Sequence, residues 1–165
     1  ADFMLVATMN PCPCGHLGDT AKECTCSTTQ ILAYQKRLSG PLLDRIDLFV
    51  DLPRISSEEL LQEGRPHEEQ AFPTNEILKN VRDAQQERLD QAAGSLTHYE
   101  TLAAPTKGAK HLFSKAIDRL QLSGRGYARL LRVSRTIADL AQSPNVEPEH
   151  VSEALSYRSR LIARN

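Results

Sequence analysis

The sequence lacks any long hydrophobic run, and this absence limits the classes of protein to which it can belong. No stretch of about 18 consecutive apolar residues occurs among the 165 residues, so the sequence excludes a transmembrane helix. The apolar run at residues 3–7 is too short for a secretory signal peptide and has no basic residues before it. We therefore expect a cytoplasmic protein. The apolar run begins only two residues after Ala1, and we interpret this start of the sequence as a boundary within a longer chain.

A phosphate-binding loop is also missing. No glycine is followed by lysine, so the Walker A pattern G-x-x-x-x-G-K-[ST] occurs nowhere. The acidic Walker B motif, which holds Mg²⁺, has no convincing counterpart, because Leu52 rather than glutamate follows Asp51 after an apolar run. We predict that this chain by itself does not hydrolyse ATP.

The composition is otherwise that of an ordinary soluble protein, with 40% hydrophobic and 25% charged residues, but its charge is unevenly distributed. The formal net charge is −1. Residues 57–104 contain 4 basic and 10 acidic side chains, whereas residues 105–165 contain 11 basic and 5 acidic ones. This asymmetry indicates either an anionic partner for the last third of the chain or a solvated helical surface there.

The first part of the chain, residues 1–56, predicts an α/β layer. Residues 3–9 and 46–52 are short and largely apolar, as are parallel strands that are covered on both faces. Between them, Ser27 and Gln30 form a capping-box pattern that predicts a helix ending before Gly40. Residues 41–45 predict a tight turn or a short helix.

The remainder of the chain predicts helices. A short helix is expected to begin near Ser56, within a linker over residues 57–73. The predicted helical domain covers residues 74–165, with helices near 74–92, 108–121, 124–142 and 148–163. The predicted fold class is thus α/β plus all-α, with two parallel strands and their helices followed by a helical domain.

Four cysteines lie in the irregular loop at residues 11–26, as two C-x-C pairs separated by nine residues. They are Cys12, Cys14, Cys24 and Cys26. Four thiolates complete the ligand shell of a tetrahedral structural Zn²⁺, and this loop has little apolar material to order it otherwise. Two disulfides, redox switching and free thiols are the alternatives, and the expected cytoplasmic location favours the metal. His16 is close in sequence, but four cysteines already fill the shell.

Several runs of the sequence occur in the order in which a known family has them. They are residues 3–15 (FMLVATMNPCPCG), 39–48 (SGPLLDRIDL), 122–127 (LSGRGY), 135–140 (RTIADL), 149–151 (EHV) and 153–158 (EALSYR). On these runs the chain resembles the C-terminal half of the ComM/YifB family of magnesium-chelatase-like AAA+ ATPases. The resemblance implies the end of an AAA+ core followed by a helical lid domain. Residues 57–104 contribute least to it.

The resemblance implies that Asn10 is sensor 1, a polar residue at the carboxyl end of a strand, where ligands bind in open α/β sheets. There its amide would orient the attacking water and contact the γ-phosphate of ATP. The alternative is that Asn10 merely starts the turn before Pro11.

The resemblance places Arg45 at the position of the arginine finger, which is supplied to the nucleotide of the neighbouring subunit. Its guanidinium would stabilise the charge on the transferring phosphoryl group. An ion pair with Asp44 or Asp47 is the alternative role, and Arg37 is a weaker candidate for the finger.

Arg125 matches sensor 2 at the start of the lid helix, where it would contact the γ-phosphate bound by its own subunit. At about 100° per residue, Arg129 and Arg132 fall about 40° and −20° from Arg125, so the three form one stripe. We expect Arg129 and Arg132 to be solvated or at an interface, and we assign no role to Arg135. The predicted apolar side consists of Leu130, Val133, Ile137, Leu140 and Ala141.

The resemblance implies a cytoplasmic, hexameric ring ATPase that acts on branched or single-stranded DNA, as a helicase in branch migration during recombination and natural transformation. ATP and Mg²⁺ would be bound mainly by residues outside this chain, and Zn²⁺ would be structural. One alternative is the ATPase subunit of a magnesium chelatase, although the resemblance implies that this subunit lacks the cysteine loop. The other is a non-enzymatic, zinc-stabilised DNA-binding or adaptor module.

Overall fold

A computed structural model describes residues 3–43, 45–52, 55 and 73–158. Seven helices and no strand form among these residues. The helices are α1 (Thr28–Gln35), α2 (Gly40–Leu43), α3 (Asn75–Ala92), α4 (Leu96–Ala103), α5 (Lys107–Leu120), α6 (Gly124–Leu140) and α7 (Pro148–Ser156). No helix of the described part is long and apolar enough to cross a bilayer.

Six of the seven helices begin at a serine or threonine whose hydroxyl accepts a hydrogen bond from a backbone amide of the first turn. At the short helix α2 this residue is Ser39. The other five caps are Ser27, Thr74, Ser95, Thr106 and Ser123. Such a cap pairs one of the amides that a helix start leaves without a partner. At α1 the predicted capping box is confirmed, since both of its reciprocal bonds are present.

The helix over Leu96–Ala103 was not predicted. Its eight residues are too few for a clear apolar periodicity, and an isolated helix of this length is marginal in water. Packing stabilises it instead, because Tyr99 and Ala103 are buried in the core of the helical unit. The short helix expected near Ser56 and the end of the last helix at 159–163 lie outside the described residues.

The two predicted strands do not form in the described part of the chain. Residues 3–9 and 46–52 have no regular structure, and their apolar side chains are mostly exposed, including Met4, Val6 and Val50. A strand persists only as part of a hydrogen-bonded ladder. Neither segment has such a neighbour here, so apolar composition alone does not make it a strand.

The described residues divide into two compact units. One comprises residues 3–43 with 51–52 and 55, and the other comprises residues 45–50 with 73–158. The segment 45–50, which follows Leu43 closely in sequence, therefore belongs to the helical unit. The predicted linker at 57–73 lies, except for Pro73, outside the described residues, and the predicted domain boundaries stay predictions.

Helix α6 is central to the helical unit and packs against α3, α4 and α7. Leu131 of α6 is fully buried together with Val146 and Val151. The ring of Phe113 meets that of Tyr127 edge to face, with centroids 5.6 Å apart and planes at 88°. These contacts form one continuous apolar core.

Helices α5 and α7 approach each other closely at their starts. The amide of Thr106 donates to the carbonyl of Val146 at 3.0 Å, which forms part of an isolated parallel bridge there. A Cβ atom at Gly108 would lie only 2.9 Å from Cγ of Pro148. The close approach therefore depends on glycine at position 108.

Candidate metal centre and the arginines of the helical unit

The four cysteine sulfurs form a compact cluster in the loop before α1. Each Sγ atom lies within 4.8 Å of all the others. Cys12 Sγ lies 3.4 Å from that of Cys14 and 3.7 Å from that of Cys24, and Cys14 and Cys24 are 3.6 Å apart. Cys12 is buried, and the other three are partly exposed. The structure thus brings together all four of the residues predicted to bind a metal ion.

The separations of the sulfurs distinguish a metal site from disulfides. A disulfide requires an S–S distance of about 2.05 Å. Four thiolates at about 2.3 Å from a tetrahedral Zn²⁺ lie about 3.8 Å from each other. The distances of 3.4–3.7 Å are close to the second value, and none of the four cysteines is in a disulfide. The donor set and its geometry suit a soft or borderline metal ion.

Tight turns shape this loop. The amide of Gly15 donates to the carbonyl of Cys12 at 3.1 Å, and Gly15 has a φ of +82°, which a residue with a side chain rarely adopts. This turn folds Cys14 back toward Cys12. At the other end, Cys26 directly precedes Ser27, the cap of α1, so the start of a helix fixes the second cysteine pair.

The thiols of the cluster ionise unequally. The backbone N–H of His16 is the largest cause that lowers the pKa of Cys14, to about 5. The backbone N–H of Cys26 lowers the pKa of Cys24, but burial and the neighbouring thiols outweigh it and raise that pKa to about 12. Without a cation, one thiolate therefore opposes ionisation of its neighbours. A bound metal would supply the positive charge that lets all four ionise.

The two polar candidates near the cluster have different surroundings. Nδ1 of His16 lies 3.4 Å from a carboxylate oxygen of Asp19, and His16 does not belong to the group of clustered ligands. Asn10 is exposed, and its amide lies against the Gly15 turn, 3.8 Å from where a Cβ atom on Gly15 would be. The sensor 1 candidate is thus adjacent to the cysteine loop, and its role stays a prediction.

Arg37, the weaker candidate for the finger, follows the end of α1. Its side chain lies beside the ring of Tyr34, which is on α1. Its guanidinium carbon is 5.8 Å from the centroid of the Tyr34 ring, a cation–π geometry. The two side chains line a shallow open groove of about 390 Å³ together with Pro13 from the cysteine loop.

The candidate residues Arg45 and Arg125 both belong to the helical unit, and both are exposed. Arg125 lies in the first turn of α6.

The side chain one turn further on, Arg129, is only 6% exposed and donates from Nη1 to the carbonyl of Ile46 at 2.7 Å. The prediction that Arg129 is solvated or at an interface is therefore wrong. Segment 45–50 covers part of the arginine stripe, whereas Arg132 is exposed as expected.

A second hydrogen bond holds the same segment. The amide of Phe49 donates to the carbonyl of Tyr157, just after α7, at 2.8 Å. Segment 45–50 is therefore fastened to the helical unit at two points. One of them is the residue that directly follows Arg45.

Arg135 is a second buried arginine for which the sequence indicated no role. It is 3% exposed and donates to the carbonyls of Ala103, Ser143 and Pro144 at 3.2, 2.5 and 3.0 Å. Its Nε also donates to Asp139 at 3.0 Å. It thus joins the ends of α4 and α6 and the loop after α6.

The buried face of α6 agrees with the predicted one only in part: Leu130 is buried, and Val133 and Ile137 pack against the core. The predicted side included Leu140, which is 39% exposed. The face turned to the core contains Leu131, Ser134, Arg135 and Ala138, all at most 3% exposed. A hydrophobicity pattern places polar residues outside, and so it misses Ser134, whose hydroxyl donates to the carbonyl of Leu130 at 2.8 Å.

Comparison with known proteins divides the chain in sequence order, so residues 45–50, which belong to the helical unit of the structure, fall within the first match. Residues 1–60 match the family described as magnesium chelatase, subunit ChlI. Residues 69–158 match the family described as magnesium chelatase, subunit ChlI C-terminal. These two matches leave only a short interval between them.

Individual relatives are similar over nearly all of the chain. "Competence protein ComM" of Haemophilus influenzae is 40% identical over 163 residues, which are 98% of this chain and 31% of that protein. "Uncharacterized protein YifB" of Escherichia coli is 37% identical over 162 residues, 96% of this chain and 31% of that protein. The chain thus spans about a third of the length of these relatives. It belongs to the ComM/YifB family of magnesium-chelatase-like AAA+ proteins.

Proposed function

We propose that this chain is the sensor and lid part of a cytoplasmic ring ATPase, a DNA motor of the AAA+ class.

 The observation that supports the proposal most is the similarity of the chain to known proteins. It matches, in order, both families of the magnesium chelatase subunit ChlI, and 98% of this chain aligns with a competence protein. Motors of this kind place ATP between subunits and convert its hydrolysis into movement.

In this proposal one chain serves two nucleotide sites. Asn10 and Arg125 contact the ATP of their own subunit as sensors 1 and 2, and Arg45 reaches the ATP of the neighbouring subunit as the arginine finger. The exposure of Arg45 and Arg125 supports this assignment, because both side chains are accessible to a ligand or a partner. The phosphate-binding loop and the acid that holds Mg²⁺ come from residues outside this chain.

Segments 3–9 and 46–52 would be parallel strands of the AAA+ core in the whole protein, where neighbouring strands are available. Met4 and Val6 are 87% and 81% exposed in this chain, and Leu52 is 82% exposed. Apolar side chains exposed to this degree along a whole segment indicate a surface that another part of a protein covers.

The cysteine cluster would hold a structural Zn²⁺. The sulfur separations and the complete set of four thiolates support zinc, and the shell leaves no open position for a substrate. The ion would order residues 11–26 and, through the Gly15 turn, the neighbourhood of Asn10.

DNA is the partner that the charge of the helical unit favours. The exposed face of α5 presents Lys107, Lys110, Lys115 and Arg119 over about 18 Å of helix. Within the described part of the chain, none of these four cations takes part in an ion pair. These cations are spread over the exposed half of the helix rather than along one line, and cations without an acidic partner suit the phosphate backbone of single-stranded or branched DNA.

The name of the Haemophilus relative extends the proposal to competence, and so to natural transformation. There the hexameric ring would drive branch migration of recombining DNA. The alternative is the ATPase subunit of a magnesium chelatase, which the family descriptions favour. The cysteine cluster and the similarity to ComM favour the DNA motor. A non-enzymatic, zinc-stabilised adaptor is the third candidate.

ATP hydrolysis by the whole protein, measured with and without branched DNA, tests the proposal. We expect turnover that DNA stimulates, and no turnover above background from this chain alone. Turnover that ignores DNA but responds to a porphyrin-binding partner would favour the chelatase. A whole protein with no ATPase activity would leave only the adaptor.

A further inference from the structure

Arg129 occupies an unusual environment for a side chain on an otherwise exposed stripe. It is 6% exposed, whereas Arg125 and Arg132, on the same side of α6, are exposed. Burying a guanidinium is costly unless its N–H groups find acceptors. Nη1 of Arg129 finds one in the carbonyl of Ile46, at 2.7 Å.

This bond lies close to two residues that the proposed function uses separately, Arg125 and Arg45. Arg125 and Arg129 are four residues apart on α6, which is about one helical turn, or 6 Å. Ile46 directly follows Arg45 in the chain. One rigid helix therefore presents the sensor 2 candidate and, one turn later, holds the backbone beside the finger candidate.

The segment after the finger is held at its other end as well. The amide of Phe49 donates to the carbonyl of Tyr157 at 2.8 Å, so residues 46–49 are fixed between α6 and the end of α7. A displacement of the helical unit would therefore displace this segment with it, rather than stretch a loose loop.

We propose that Arg129 is a positioning residue that couples the sensor to the finger. The proposal rests on the proposed function. When the nucleotide of its own subunit draws Arg125 and α6 toward it, Arg129 shifts the backbone at Ile46. This shift changes the position of Arg45 in the neighbouring site. The occupancy of one nucleotide site thereby sets the hydrolysis rate of the next, through a hydrogen bond and one turn of helix.

A first experiment tests the bond in this chain without any ATPase activity. In the Arg129→Met variant the hydrogen exchange of the Phe49 amide should become at least about tenfold faster, because the segment loses its attachment to α6 at Ile46. Exchange of the core amides of Leu131 and Val151 should remain within about twofold, which shows that the helical unit is still folded. Arg132→Met, on an exposed residue of the same helix, is the matched control and should leave Phe49 unchanged.

A second experiment tests the coupling in the whole protein. Arg129→Met should lower kcat about tenfold while changing the KM for ATP less than about twofold, and Arg129→Lys should recover part of the loss. Mixing Arg129→Met subunits with subunits whose Mg²⁺-holding acid is replaced, so that they bind ATP but do not hydrolyse it, should restore turnover. At a mixed interface, the second subunit offers a correctly held Arg45 to the intact site of the first.

The outcomes separate this inference from the function on which it rests. If the wild-type whole protein hydrolyses ATP but Arg129→Met keeps normal turnover, the coupling is wrong and the function stands. If turnover falls but mixing restores none of it while rings still form, Arg129 acts within its own subunit and the inference is also wrong. If the wild-type protein has no ATPase activity, both fail, whatever the exchange of Phe49 shows.

Discussion

The guanidinium of Arg88 on α3 forms two parallel hydrogen bonds with the carboxylate of Asp139 on α6, at 2.7 and 2.6 Å. The same carboxylate accepts from Nε of Arg135 at 3.0 Å. Side chains of Arg88 and Asp139 are 17% and 7% exposed, so this pair is largely withdrawn from water. It joins two helices that are about 50 residues apart in sequence.

Replacing this carboxylate should destabilise the helical unit. In Asp139→Ala the buried guanidinium of Arg135 loses its counter-charge, and removing one partner of a buried ion pair costs about 3–5 kcal/mol. The urea midpoint should fall with little change in the slope of the unfolding curve. Asp118→Ala, at an exposed position of α5, is the control. A change in unfolding free energy below about 0.5 kcal/mol for Asp139→Ala would contradict the structural role of this pair.

A methyl group at Gly108 should also destabilise the unit, although alanine is the better helix former. The new Cβ would lie 2.9 Å from Cγ of Pro148, an atom of a rigid ring. Overpacking of this kind costs about 1–3 kcal/mol, more than the helix propensity of alanine recovers, which is about 1 kcal/mol at most.

The matched control for this change is Gly124→Ala at the start of α6, where no atom lies within 4 Å of the added Cβ. It should be neutral or stabilising in the same thermal or urea unfolding experiment. If Gly108→Ala is as stable as Gly124→Ala, helices α5 and α7 do not pack as closely as the structure shows.

The cysteine cluster should bind about one Zn²⁺ per chain, because four thiolates complete a tetrahedral shell. Elemental analysis of protein purified without chelator measures the ratio. Cys14→Ser should abolish stoichiometric binding, whereas His16→Ala should retain it, since His16 lies beside Asp19 rather than among the sulfurs. Four titratable thiols without zinc, or two disulfides in protein prepared under reducing conditions, would refute the zinc site.

The exposed face of α5 should contribute to DNA binding mainly by charge. Replacing Lys110 and Lys115 by glutamate should weaken binding to all DNA sequences alike, because contacts to phosphates do not distinguish bases. The slope of log K against log salt concentration should become shallower by about 2, or about 0.9 for each lost contact. Lys79→Glu with Arg82→Glu, on exposed positions of α3, matches the change in charge and should have little effect. Equal weakening by both double variants would indicate net charge rather than a binding face.

In the whole protein, Arg45→Ala should abolish most ATP turnover and leave ATP binding nearly intact. An arginine finger contributes a factor of about 10³ or more to the rate, whereas ground-state binding depends on the phosphate-binding loop of the other subunit. Mixing the variant with subunits that have an inactivated phosphate-binding loop should recover part of the activity.

Two results would contradict the assignment of Arg45. One is near-normal turnover by Arg45→Ala, and the other is a mixture that forms rings but recovers no activity. Arg37, which lies against the ring of Tyr34, would then be the next candidate, and Arg37→Ala in the same mixing design would test it.

Local signals in the sequence were sufficient for most of the helix starts. Ser27 with Gln30 predicted the start of α1, and Pro148 predicted the start of α7, where proline occupies the first helical position. These signals act within a few residues of chain, so they are readable without the fold. The same holds for the cysteines, whose spacing allowed the four sulfurs to meet in one loop.

Contacts between distant residues were not readable in this way. Arg129 and Arg135 both look like surface residues in the sequence, and both are buried because backbone carbonyls from distant segments accept their N–H groups. The eight residues of α4 form a helix because Tyr99 packs into the core, not because of a strong local pattern.

By itself, then, the sequence determined the family, the approximate starts of most helices, and the set of cysteines, since each of these depends on residues that are near neighbours in the chain or on an ordered set of motifs. Only the tertiary structure decided that segment 45–50 lies on the helical unit and that Arg129 holds it there. The reason is that a buried cation is stable only where the fold supplies an acceptor, and the acceptor at Ile46 lies 83 residues away in the sequence.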